Sequence, residues 1–276
     1  MKQEKPMQDK ERKRRVAVKV GSNVLTRPDG TLDATRLSAL ADQLTALRRA
    51  GLEVVLISSG AVASGRSELH LPPGAEQRMT PVEQRQLFSA VGQAKLIDRY
   101  FNLFREMGIP VGQVLTMRED FEREAQRQNL HTCMEAMLAH GVLPIVNEND
   151  TVCVTELMFT DNDELSGLIA RLLEADTLVI LTNVDGIHTD LPGRPGARLL
   201  TRVDPEADLS PYLSQTKSSA GRGGMQSKCK TAAEVARSGI HVRIANGRAE
   251  HILPRLLLQD EKPPHTHFIP HKTDKA

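Results

Sequence analysis

Apolar residues fall along this chain in two alternating rhythms. Largely apolar runs of four to eight residues, at 16–20, 53–57, 109–116, 143–146, 176–181 and 239–244, read as strands buried on both faces. Between them apolar residues recur three and four apart. Asp33 caps a helical pattern through Leu37, Leu40, Leu44 and Leu47 that stops at Gly51. Helices are also predicted over 81–107, over 120–140 up to Gly141, and after Asp161 through Leu165, Leu168, Ile169 and Leu172. Residues 151–160 are β-prone and read as a hairpin, and 239–244 as the last strand before a short terminal helix. Strand and helix alternating throughout predict an α/β fold, a three-layer αβα sandwich around a mostly parallel sheet.

This pattern occupies one domain, residues 14–258. Residues 1–13 read as a disordered basic tail, because no aromatic side chain is interleaved with Lys10, Arg12 and Lys13 as nucleic-acid binding would require. Residues 259–276 read as a C-terminal tail. His265, His267 and His271 sit there among prolines and lysines, which suggests a mobile end rather than a metal site.

Composition narrows the class. Lys plus Arg number 36 against 35 Asp plus Glu, so no overall field draws nucleic acid and any anion must be attracted locally. Three cysteines with no CxxC pair argue against a disulfide framework and a thiolate zinc site, and fit a reducing cytoplasm. No apolar run reaches the roughly 18 residues of a membrane span.

The chemistry gathers at strand tips. The run Leu143-Pro144-Ile145-Val146 ends in Asn147-Glu148-Asn149-Asp150, and Thr160-Asp161-Asn162-Asp163 follows. Such a cluster cannot be buried without partners, and the carboxyl edge of a parallel sheet is where ligands of open α/β folds bind. For Asp161 the competing reading is a helix cap. Lys19, inside an apolar strand, is expected to meet an anion at the strand tip. Gly21, Gly60 and the loop Gly221-Arg222-Gly223-Gly224 offer backbone N–H groups to phosphate oxygens, with Lys228 just beyond. No Gx4GK[ST], GxGxxG, GxSxG or HExxH motif occurs. Two lysines, glycine loops and acid–amide clusters suit phosphoryl transfer, where the protein positions two anions and neutralises charge.

Six segments together resemble the amino-acid kinase family, and within it the enzymes that phosphorylate the side-chain carboxylate of L-glutamate with ATP and Mg²⁺. They are Val18-Lys19-Val20-Gly21-Ser22-Asn23-Val24-Leu25, Ser58-Ser59-Gly60-Ala61, Ser89-Ala90-Val91-Gly92-Gln93, Val146-Asn147-Glu148-Asn149-Asp150, Asp161-Asn162-Asp163 and Gly223-Gly224-Met225-Gln226-Ser227-Lys228. The resemblance implies that Lys19 and Lys228 hold the transferring phosphoryl group and that Asp163 orients them, with a metal contact at Asp163 possible. It implies that Ser59, Asp150 and Asn162 hold glutamate. Lys19, Thr182, Asn183 and the segment Arg222, Gly223, Gly224, Met225, Gln226, Ser227 and Lys228 would meet the nucleotide. A free α-ammonium also needs a buried anion, which fits Asp150 independently.

Three departures accompany the resemblance. Asn183 stands where the family commonly has aspartate, His265-Thr266-His267-Phe268 replaces a glycine-containing approach to the domain end, and the chain stops where many members continue into a PUA domain. The implied partners are proline as feedback inhibitor, a homo-oligomer, and a glutamyl-phosphate reductase, with no nucleic acid and no membrane. The alternatives are another kinase of this fold, acting on N-acetylglutamate, aspartate, carbamate or a uridylate, or a non-catalytic amino-acid sensor. Retention of both Lys19 and Lys228 speaks against the sensor.

Overall fold

The computed structural model describes residues 12–152, 161–213, 224–260 and 262–270. Strand β1 (Arg15–Val20) runs into the single turn α1 (Ser22–Leu25), then α2 (Ala34–Arg49) and β2 (Glu53–Ser58). Helices α3 (Ala61–Glu68) and α4 (Pro81–Glu106) lead to β3 (Val111–Thr116). Next come α5 (Glu119–Glu122), α6 (Glu124–Ala139), β4 (Leu143–Glu148), α7 (Asn162–Leu172) and β5 (Thr177–Thr182). The C-terminal part holds β6 (Arg202–Val203), α8 (Ser210–Leu213), α9 (Met225–Arg237), β7 (His241–Asn246), α10 (Ile252–Leu257) and β8 (His265–Phe268). The hairpin expected at 151–160 lies almost wholly outside the described residues.

The strands form one sheet in the order β3-β4-β2-β1-β5-β7-β8-β6. Every pairing is parallel except β7 with β8. Two apolar layers cover it. Val16, Val18 and Val20 of β1 join Leu37, Leu40, Leu44, Tyr100, Phe104 and Leu253 on one face. Ala17 joins Met134, Leu165, Ile169, Ala232 and Val235 on the other. This is the expected three-layer sandwich. Side chains alternate along a strand, so Lys19 shares the face of Ala17 and emerges beneath α7 and α9.

Helices α3 and α4 touch backbone to backbone. A Cβ at Gly92 would lie 1.8 Å from the Ala61 carbonyl oxygen, and one at Gly65 would lie 1.9 Å from that of Phe88. Only glycine fits at either position. A capping box of Thr80 and Glu83 with Pro81 at the first helical position fixes where α4 begins. The seam and the cap together aim the first turns of α4 at the sheet's carboxyl edge.

The structure departs from expectation at three places. The helix predicted over 120–140 breaks at Arg123, whose extended backbone separates α5 from α6. The run at 239–244 is not the last strand, since β8 follows it. Within the tail expected from 259, residues 265–268 therefore belong to the folded sheet: β8 pairs with both β7 and β6, and its Thr266 and Phe268 are fully buried. Thr266 Oγ1 also accepts the Ile187 N–H at 2.8 Å. Prolines that suggested a mobile end flank a short strand near the sheet edge, a place where proline is tolerated. Among the described residues, no helix is long and apolar enough to cross a membrane.

Candidate active site

A cavity of about 410 Å³ opens at the carboxyl ends of β1, β2, β4 and β5, walled by α3 and the start of α4. Lys19, Ser59, Asn147, Asp150, Thr182 and Lys228 all line it. A parallel sheet directs its strand ends this way, and neighbouring helices begin there with unsatisfied N–H groups.

One end of the cavity is built on Asp163. Asp161 caps α7, its Oδ1 accepting the N–H groups of Asp163 at 2.8 Å and Glu164 at 3.1 Å, so both reading of a cap and membership of the cluster hold for it. The cap sets Asp163 in the first turn, fully buried, between two ammonium groups. Lys19 Nζ lies 2.5 Å from its Oδ1, and Lys228 Nζ donates to its Oδ2 at 2.9 Å. Burial alone would raise the Asp163 pKa, but the two lysine charges outweigh it and hold the carboxyl below the usual range. Asp161 moves the other way. Burial and repulsion from Asp163 push it up, against the pull of Ser227 and Lys19.

The other end is built on Arg85, in the second turn of α4. Its Nε donates to Asp150 Oδ1 at 2.7 Å, and its Nη2 bridges to Asp150 and to Glu148 Oε2, the latter at 2.5 Å. Both acids are buried at the tip of β4. Burial raises the Asp150 pKa, with Arg85 opposing.

An amide relay joins the two ends. Asn162 Nδ2 donates to Ser59 Oγ at 3.0 Å and to Asn147 Oδ1 at 2.9 Å, and Asn147 donates in turn to Gln93 Oε1 at 2.8 Å. Ser58 turns away into the core, where its hydroxyl meets Tyr100 OH at 2.8 Å. The structure thus brings Lys19, Lys228 and Asp163 together, and Ser59, Asp150 and Asn162 into the same cavity.

Other expected residues fall less evenly. Gly60 adopts φ +113°, which only glycine holds without strain, and starts α3 at the cavity. Gly21 is not a free phosphate donor: its N–H is taken by the Leu181 carbonyl at 3.3 Å. Thr182 lines the cavity, and exposed Asn183 sits beside it at the end of β5. Gly224 starts α9 and is followed by Met225, Gln226, Ser227 and Lys228, while Arg222 and Gly223 lie outside the described residues. Arg85 was not singled out by sequence reasoning. It lies in the polar stretch Glu83-Gln84-Arg85-Gln86, which reads as a solvated helix face.

The amino acid kinase family model matches residues 14–246, most of the chain and every element of this cavity. The chain belongs to the amino acid kinase family. Its relatives include a protein of Bacteroides thetaiotaomicron named glutamate 5-kinase, 57% identical over 93% of this chain and 70% of its own length. A protein of Symbiobacterium thermophilum with the same name is 41% identical over 90% of this chain and 94% of its own length. Others of that name are longer, and the chain spans 61% to 66% of them. The crystal structure of UMP kinase from Ureaplasma parvum superposes with a TM-score of 0.63 over 94% of this chain and all of that one, at 16% identity. That likeness shows the fold.

Proposed function

We propose that this chain is a glutamate 5-kinase, transferring the γ-phosphoryl group of ATP to the side-chain carboxylate of L-glutamate. The observation that carries the reading is one cavity with opposite charge at its two ends. Lys19 and Lys228 share Asp163 at one end, and Asp150 and Glu148 share Arg85 at the other. Relatives named glutamate 5-kinase support the same substrate.

Chemistry follows from the lysine end. A glutamate γ-carboxylate oxygen attacks the γ-phosphorus, the bond from that phosphorus to the β–γ bridging oxygen breaks, and ADP leaves with the electron pair. Negative charge builds on the in-line oxygens, and two fixed ammonium groups in a water-poor site stabilise it without reorganising. Asp163 keeps both lysines aimed. Ser59 and Asn162, tied together, line the path between the ends, while Thr182, Asn183 and the start of α9 face the nucleotide. Asp150 takes the α-ammonium.

Mg²⁺ fits this site in a limited way. Both oxygens of Asp163 already face a lysine, whereas the buried Oδ2 of Asp161 accepts no hydrogen bond. Asp161, not Asp163, is then the carboxylate that would hold the ion, mostly carried by nucleotide phosphates. It would neutralise phosphate charge. The product is an acyl phosphate prone to hydrolysis, which supports a glutamyl-phosphate reductase as partner. A homo-oligomer is supported by two exposed large apolar side chains, Phe101 on α4 and Leu115 on the edge strand β3. The balanced charge and free cysteines fit work in the cytoplasm.

The test is an ATP-dependent hydroxamate assay with L-glutamate, N-acetylglutamate and L-aspartate side by side, since hydroxylamine traps acyl phosphates. Turnover with glutamate alone is expected. Preference for N-acetylglutamate or aspartate would move the chain to another branch of the family, and glutamate binding without ADP formation would make it a sensor.

A further inference from the structure

Arg85 occupies the place where a substrate ammonium would go. It holds Asp150 and Glu148 together, so this end of the cavity carries two negative charges against one positive. One further cation completes it. An α-amino acid brings more than that, however: its ammonium comes with a carboxylate on the same carbon, and that carboxylate also leaves water and needs a partner. Four cations line the cavity among the described residues, Lys19, Lys228, Arg66 and Arg85. The two lysines sit at the phosphoryl end on Asp163, and Arg66 is half-exposed on Glu76 at 2.5 Å. Arg85 alone is both recessed and adjacent to Asp150.

We propose that Arg85 is the specificity-determining residue for the α-carboxylate of the substrate, exchanging its contact with Asp150 for one with that carboxylate while Glu148 keeps hold of it. The inference rests on the reading of the cavity as a glutamate site and deepens it. A planar guanidinium has donors enough to serve Glu148 and a second carboxylate at once, which an ammonium on a flexible stem does less well. Glu148 is the deeper anchor, with its side chain 2% exposed against 9% for Asp150. Asp150 thereby passes from Arg85 to the substrate ammonium, and every group keeps an opposite partner: Arg85 is shared between Glu148 and the α-carboxylate, while Asp150 faces the ammonium. An N-acylated head would bring a carboxylate without an ammonium and leave one acid uncompensated. The α3–α4 seam through Gly65 and Gly92 holds the arginine at this depth.

The test compares L-glutamate with its α-amide, which keeps the ammonium and the γ-carboxylate but lacks the α-carboxylate charge. Kcat/KM is measured for both substrates in the parent, R85Q and R85K, with thermal melts as the folding control. In the parent, glutamate is preferred, and R85Q shrinks that preference by roughly 10- to 150-fold, the worth of one hydrogen-bonded charge. R85K keeps part of the preference and serves if R85Q does not fold. Equal loss for both substrates in R85Q, or an unchanged preference in either folded variant, would overturn the proposal. A parent that does not phosphorylate glutamate would overturn the underlying reading, and this inference with it.

Discussion

At one end of the cavity two cations share one acid, and at the other two acids share one cation. Both clusters are buried at the carboxyl edge of the sheet, the first with Asp161 beside it. The lysine end is held by Asp163, whose carboxyl is driven below the usual range by Lys19 and Lys228 despite its burial. The arginine end keeps Asp150 raised, because Arg85 only partly offsets the cost of burial. Under the proposed function the contrast divides the roles: two ammonium groups held on one carboxylate suit a phosphoryl group gaining charge in a transition state, and two acids held on one arginine suit a stable ammonium. On that reading one end is expected to govern turnover and the other binding.

The largest expected effect breaks the lysine end. Lys19→Ala and Lys228→Ala should each lower kcat by about a hundred- to a thousandfold, because the contact strengthens as charge develops. The glutamate KM should change far less. Near-normal turnover in either variant removes that residue from the chemistry, and an equal loss in KM erases the distinction between the ends.

A second variant loosens the arginine end from a distance. In Gly92→Ala the new methyl group would strike the Ala61 carbonyl, so α4 must shift on α3. Overpacking of this kind costs about 3 kcal/mol at the upper end of its usual range. A melt should show the lost stability, and the surviving folded enzyme should have a raised glutamate KM with an ATP KM near the parent value. If both constants rise together, the seam does not serve the arginine end in particular.

Asp150→Asn probes the same end directly. The amide keeps the shape and removes a charge, leaving the ammonium to Glu148, itself committed to Arg85. The glutamate KM should rise roughly 10- to 150-fold, the range for a hydrogen bond to a charged group. Because burial raises the Asp150 pKa, the parent should also lose glutamate affinity as pH falls, through protonation of this carboxylate. The variant should follow a flatter profile, with the titration of glutamate itself common to both. Identical profiles would show that Asp150 only ends its strand.

How much of this was open to reading from the chain alone follows the same contrast. Lys19 and Lys228 stand out because a charge inside an apolar strand, or beside a glycine loop, breaks a local pattern, whereas Asp163 shows only as part of the acid–amide run Thr160-Asp161-Asn162-Asp163, its role implied by the family resemblance. Asp150 is visible for the same reason as the lysines, at the end of Leu143-Pro144-Ile145-Val146. Its partner Arg85 breaks nothing. An arginine among Glu83, Gln84 and Gln86 looks solvated, and only the close crossing of α3 and α4 brings it inward. The four-residue β8 was hidden likewise, since Thr266 and Phe268 alternate with histidines between prolines and leave too short a pattern to count. Gly21 marks the opposite failure: a glycine at a strand tip invited a phosphate, yet its N–H serves Leu181.

The smallest expected effect comes from a ligand that satisfies one end only. Proline carries an ammonium and a carboxylate on one carbon, which match Asp150 and Arg85, but it has no second carboxylate to present to Lys19 and Lys228. It should therefore occupy the arginine end without being phosphorylated, raising the apparent glutamate KM while kcat and the ATP KM hold. Its ring fixes the backbone torsion that a free amino acid must order on binding, which favours it modestly, while the missing contacts at the lysine end weaken it. Initial rates at sub-saturating glutamate with rising proline measure this, and R85Q should blunt the inhibition together with the preference for glutamate over its α-amide. Inhibition competitive with ATP, or none at high proline, would mean that the arginine end does not recognise an amino-acid head by itself, and the two ends could not be treated as separable sites.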